Sequence, residues 1–134
     1  MPGMSPQVLQ RLLIDAAREF NAGRYFEAHE VLEEALEEVP EYLWDLFVGL
    51  IQVAVGYHKA TQQLWSGAEH MLQRGLEKVE SFPPEAAGFN LEALRQRMRT
   101  DIERLRSGRF DVGAFRRHPP RLQPLIADAD SGAR

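Results

Sequence analysis

The chain contains no cysteine. Disulfides, thiolate metal sites and cysteine nucleophiles are therefore excluded. Its longest apolar run, Leu46 to Gly56, is 11 residues long and interrupted by Gln52, whereas a membrane-spanning helix needs about 20. That run reads as a buried core helix. Strand-like alternation bounded by turn residues is missing, as are a Gly-rich phosphate loop and a nucleophile elbow. Met1 to Gln10 carries no basic n-region and no apolar h-region, so no secretory signal is read there. The expectation is a soluble, cytoplasmic protein.

What is present is ordinary globular composition. The 134 residues are 44% hydrophobic and 27% charged, which suits one domain able to bury roughly two thirds of its unfolded surface. The net charge of -4 is unevenly placed. Residues 1–80 hold 6 basic and 13 acidic side chains, and residues 81–134 hold 10 and 7, all ten of those basic residues being arginine. An acidic body argues against general nucleic-acid binding, and no aromatic interleaving among the arginines suggests base stacking.

The apolar spacing is helical almost throughout. Ser5-Pro6 suits a helix start, and Gly23 suits the end of that first helix. A second helix is expected over about Tyr25 to Val39, ended by Pro40, and a third over about Glu41 to Gln62. The third is apolar nearly all round, the mark of a central helix. Ser66 can cap a fourth helix running to about Glu80, before the break at Ser81-Phe82-Pro83-Pro84. Asn90 can cap a fifth, about Leu91 to Ser107, stopped at Gly108. A short Phe110 to Phe115 segment follows, then His118-Pro119-Pro120 and a polar end expected to fray. The reading is all-α: a compact bundle of about five helices, two packed hairpins plus a C-terminal helix. Residues 1–81 form the hairpin core, and residues 82–134 form an Arg-rich helix and extension packed on the same domain.

Ala28, Leu32, Leu36 and Val39 match Ala68, Leu72, Leu76 and Val79 at a constant offset of 40. This suggests two similar hairpins side by side. Gly23 lies five before Ala28 but Gly67 only one before Ala68, so the two turns are expected to differ.

On the second helix Tyr25, Ala28, Leu32, Ala35, Leu36 and Val39 form one apolar stripe. Glu27, Glu34 and Glu38 oppose it. His29 and Glu33 fall at one edge, four residues apart and over the same turn. That spacing serves two metal ligands on one helix, or a carboxylate that fixes a histidine tautomer; a plain surface pair has the same spacing. The fragment His29-Glu30-x-x-Glu33 lacks the second histidine of the metalloprotease signature. On the third helix Gln52 interrupts the apolar run, and His58 lies on the face with Phe47, Ile51 and Ala54. Buried, these need partners, either His29 and Glu33 or backbone carbonyls. Asp45, Gly49, Gln52 and Gly56 share a stripe whose glycines would let another helix approach closely. His70 and His118 look ordinary, and Trp44 and Trp65 read as core or rim packing. Arg95, Arg97, Arg99, Arg104 and Arg106, interleaved with Glu92, Asp101 and Glu103, read mostly as a solvated face with local pairing.

The string Phe20-Asn21-x-Gly23-x-Tyr25-Phe26-Glu27-Ala28-His29-Glu30-x-Leu32-Glu33 resembles the signature of domain-of-unknown-function family 309. So does the later Gly49-Leu50-Ile51-Gln52-x-Ala54, with His58 and then Gly67-Ala68. The resemblance covers about residues 12–80. It implies a small all-helical protein of bacteria or archaea and draws attention to Glu27, His29, Glu30, Glu33, Gln52 and His58 as a linked polar cluster. The chain departs from the pattern at Leu36, where many members carry Trp, and at Gln63-Leu64, where many have Gly-Asn.

Two functions follow as expectations. One is a binding or interaction module in which the polar cluster fixes helix register and the partner is a protein or a second copy, as in a homodimer. The other is a metal-dependent hydrolase, with a divalent metal on His29, Glu33 and His58 and Glu30 or Glu27 as base. Zinc usually takes at least three protein ligands.

Overall fold

The computed structural model describes residues 6–125. Six helices are found there: α1 (Pro6–Asn21), α2 (Tyr25–Leu36), α3 (Trp44–Thr61), α4 (Trp65–Glu80), α5 (Leu91–Arg106) and α6 (Val112–Arg117). Ser5 and the chain from residue 126 onward lie outside the described residues. The fold is an all-α bundle, and none of these helices is long and apolar enough to cross a membrane. Helices α1 and α2 make the first hairpin, α3 and α4 the second, and α2 joins the two by packing on α3. Helix α5 lies against α4. The segment expected near Phe110–Phe115 is the sixth helix. It begins where Asp111 accepts hydrogen bonds from the amides of Gly113 and Ala114, the N-cap arrangement that aspartate favours.

Helix α3 is central, as its apolar sequence implies. Leu46, Phe47, Leu50, Val53, Ala54, Tyr57 and Ala60 are all buried in it. Its glycines bring α4 into backbone contact. A methyl group on Gly56 would sit 2.8 Å from the Leu72 side chain. One on Gly75 would sit 2.8 Å from Val53 and 2.9 Å from the Gly49 carbonyl oxygen.

The two interhelix turns are alike, contrary to the expectation from their sequences. Gly23 has φ 83° and Gln63 has φ 63°; the next residues, Arg24 and Leu64, adopt φ/ψ of -93°/74° and -92°/75°. The amide of Arg24 donates to Glu19 O, and that of Leu64 to Lys59 O, both at 2.9 Å. The offset of 40 therefore extends through the turns. Gln63 stands in the left-handed position that glycine fills in the first hairpin. For the same reason α4 begins at Trp65, one residue before the expected Ser66 cap. Helix α2 is shorter than its apolar spacing suggests, stopping at Leu36; a single 3-10 turn over Glu41–Leu43 then leads into α3.

The stretch after His118 does not fray within the described residues. Leu122 is buried and exchanges two hydrogen bonds with Asn21: its amide donates to Oδ1 at 2.7 Å, and its carbonyl accepts from Nδ2 at 3.1 Å. The Asn90 amide donates to Gln123 O at 2.9 Å. Residues 119–125 thus strap the α1–α2 turn to the entry of α5.

Candidate functional site

The residues singled out on α2 lie near its exposed edge. The Nδ1 atom of His29 is 2.6 Å from the carbonyl oxygen of Phe26. A carbonyl only accepts, so this nitrogen carries the hydrogen. Nε2 lies 3.6 Å from Glu33 Oε1. His29 and Glu33 are therefore together, as their spacing requires. His58 comes close without joining them. The Phe26 ring contacts both histidines, its centroid 4.9 Å from that of His29 and 5.5 Å from that of His58. Glu27 and Glu30 are exposed.

Gln52 is not part of this group. Its Oε1 is buried and has no hydrogen-bond partner. Six residues separate Gln52 from His58, which at about 100° per residue puts them about 120° apart around α3. His58 meets α2, whereas Gln52 lies on the stripe of Gly49 and Gly56 that faces α4. The linked cluster of His29, Glu33, Gln52 and His58 is thus two separate sets. Among the described residues no three His, Asp or Glu side chains gather where they could hold a metal ion. The trio His29, Glu33 and His58 does not meet that condition.

A second polar centre lies where α2, α3, α5 and α6 meet. Asp101 on α5 is buried at 1% exposure. Its Oδ2 accepts from the Tyr57 hydroxyl at 2.8 Å and from Arg97 Nε at 2.9 Å. Burial pushes the Asp101 carboxyl above its ordinary range, and the Tyr57 and Arg97 hydrogen bonds pull it partly back. Burial likewise pushes the Tyr57 phenol well up, with Asp101 adding to the effect. The Tyr25 hydroxyl is buried without a partner, and its phenol is also raised by burial. Phe115 of α6 closes this centre, its ring 5.3 Å from that of Tyr57 and 5.8 Å from that of Tyr25, with the Arg97 guanidinium 5.7 Å above it.

The outer side of this centre is a cleft of about 490 Å³ between α5 and α6. Arg97, Arg104 and Arg109 line it, with Asp101, Asp111 and the rings of Phe110 and Phe115. His118, ordinary in sequence, also stands on its wall. Of the other α5 arginines, Arg99 and Arg106 are exposed and locally paired as expected, whereas Arg95 is buried. Buried Arg95 donates to the carbonyls of Val79 and Phe82 at the end of α4. Arg99 pairs with Glu80, and Arg106 with Glu69. Trp44 and Trp65 are rim residues, 46% and 40% exposed.

Asp101 has a signal in the sequence. Leu91, Leu94, Met98, Asp101 and Leu105 recur at intervals of three and four, so the carboxylate occupies the register of the buried stripe. All five are buried.

Residues 13–71 match the family model described as Domain of unknown function (DUF309). Glu27, His29, Glu30, Glu33, Gln52 and His58 all fall within the match, and the α5–α6 cleft is built mainly from residues beyond it. No curated protein and no solved structure matches the chain.

Proposed function

We propose that the chain, whose residues 13–71 match the DUF309 family model, is an interaction module that works through the outer face of α2, and that its partner is a basic, amphipathic protein segment. The observation that carries this reading is Phe26. It is 47% exposed, yet its ring rests against those of His29 and His58. An exposed aromatic side chain already held in place loses little freedom on contact, which suits an anchor residue. Glu27, Glu30, Glu33 and Glu34 are exposed along the same helix, Glu37 at its C-cap, and Tyr42 and Trp44 just after it. An acidic strip with aromatic residues near both ends complements arginine or lysine alternating with apolar side chains.

The hydrolase reading asks for a third ligand beside His29 and Glu33, and among the described residues no such group of three gathers. A synthetic helix-forming peptide of lysine, arginine and leucine, titrated against the full chain, tests the proposal. Binding that weakens with added salt and is lost in the Phe26→Ala, Glu30→Lys double variant supports it. Sedimentation equilibrium of the chain alone separates a foreign partner from a second copy, because self-association abolished by the same double variant would make the partner another copy. Metal-dependent hydrolysis of an ester or phosphoester, lost in His29→Ala and kept in Phe26→Ala, would overturn the reading.

A further inference from the structure

We propose that the cleft between α5 and α6 binds a small molecule carrying a carboxylate or phosphate on a flat apolar body. The inference is independent of the α2 surface. The cleft wall is cationic on balance, with three guanidinium groups, Arg97, Arg104 and Arg109, against two carboxylates. Both carboxylates are already engaged. Asp111 accepts from the amides of Gly113 and Ala114 at the start of α6. Asp101 is fixed by Tyr57 and by Nε of Arg97.

The arginines are less occupied. Arg97 uses only Nε on Asp101, which leaves the terminal nitrogens of its fork free to donate. Arg104 stands 3.8 Å from Asp101 Oδ1, too far for a hydrogen bond. Arg109 is exposed and has no ion-pair partner among the described residues. Converging guanidinium groups recognise carboxylate and phosphate oxygens through charge-assisted hydrogen bonds. Asp101 also gives Arg97 its orientation, so the fork is positioned before a ligand arrives. The apolar requirement comes from the rest of the wall. Phe110 and Phe115 stand 5.2 Å apart, centroid to centroid, and half-buried Phe110 lines the cleft. A planar group on that surface would place its anion toward the arginines.

Titration calorimetry on the full chain tests this with phenyl phosphate, benzoate, inorganic phosphate and benzyl alcohol. Saturable binding of phenyl phosphate or benzoate is expected, the tighter of the two identifying the head group, with benzyl alcohol silent. Arg109→Met should weaken binding about tenfold, the loss of one charge-assisted hydrogen bond, and Phe110→Leu should weaken it as well. Arg109 is exposed, so its variant keeps the fold, which an unchanged circular-dichroism melt verifies. The Trp65 ring packs 5.9 Å from that of Phe110; in a Trp44→Phe background its fluorescence should change with the same saturation curve. Absence of saturable binding by either aromatic anion overturns the proposal. So does binding unaltered in Arg109→Met, or inorganic phosphate binding as tightly as phenyl phosphate.

Discussion

The Tyr57 hydroxyl of α3 donates to the Asp101 carboxylate of α5 across 2.8 Å, and each residue explains why the other can be buried. A phenol in an apolar interior needs an acceptor, and an isolated carboxylate needs donors. Together with Arg97 they tie α3 to α5.

This pair sets a pH dependence. The Asp101 carboxyl titrates above its ordinary 3.8 in the folded chain because burial disfavours its charged form. The folded state then binds more protons than the unfolded state in that window. The stability Asp101 contributes is complete below about pH 3.8 and is lost as pH rises through the raised folded value. Asp101→Asn keeps an acceptor for Tyr57 and does not titrate. Urea midpoints of wild type should therefore fall relative to those of Asp101→Asn as pH rises from 3.8, and curves that stay parallel would contradict the assignment. Tyr57→Phe should cost about 1 to 3 kcal/mol, as expected for a buried acceptor losing a donor.

Gln63 holds a left-handed backbone at φ 63°, a conformation that costs a side-chain-bearing residue roughly 1–2 kcal/mol. Gln63→Gly should raise stability by about 1 kcal/mol, and Gly23→Ala should lower it by a similar amount. Chemical denaturation of both variants gives the two signs. A matching loss in Gln63→Gly would mean that the glutamine side chain contributes something the turn geometry does not show.

Gly75→Ala should destabilise by about 1–3 kcal/mol, because the added methyl meets α3 backbone and neither helix can yield alone. Gly67→Ala is the control. Its methyl meets only the movable stem of Lys59, at 3.0 Å, so little change is expected. Thermal melts of the two variants should separate clearly.

Asn21→Ala removes both hydrogen bonds to Leu122 and should cost about 1–3 kcal/mol. Its sharper signature is local. The amides of Leu122 and Asn90, which donate to Asn21 and Gln123, should exchange with deuterium faster, while those in the middle of α3 keep their protection relative to global stability.

The helices are legible in the chain because each carries an apolar stripe between clear boundary residues. The glycine stripe of α3 is legible too, since only a close neighbour explains Gly49 and Gly56 on one side of an apolar helix. The turn at Gln63 is not, because glutamine announces no left-handed backbone. The hairpin imposes that state, and the extension of the 40-residue offset through both turns, like the Gly-Asn that the resembled pattern carries at Gln63-Leu64, points to it. The polar cluster is half legible. The four-residue spacing does bring His29 to Glu33, but the grouping of Gln52 with His58 fails because two costly polar residues on one helix need not share a side. Asp101 is obscured by its neighbours. Arginines on either side make α5 look solvated, although its three-four register places that carboxylate inward.

The Asn21–Leu122 clasp joins positions 101 residues apart. Chains are synthesised at about 5–20 residues per second, so Leu122 emerges roughly 5 to 20 s after the residue that receives it. Both hairpins have time to form during that interval while Asn21 waits with its amide group open to water. The strap is thus the last part of the described fold to be fastened.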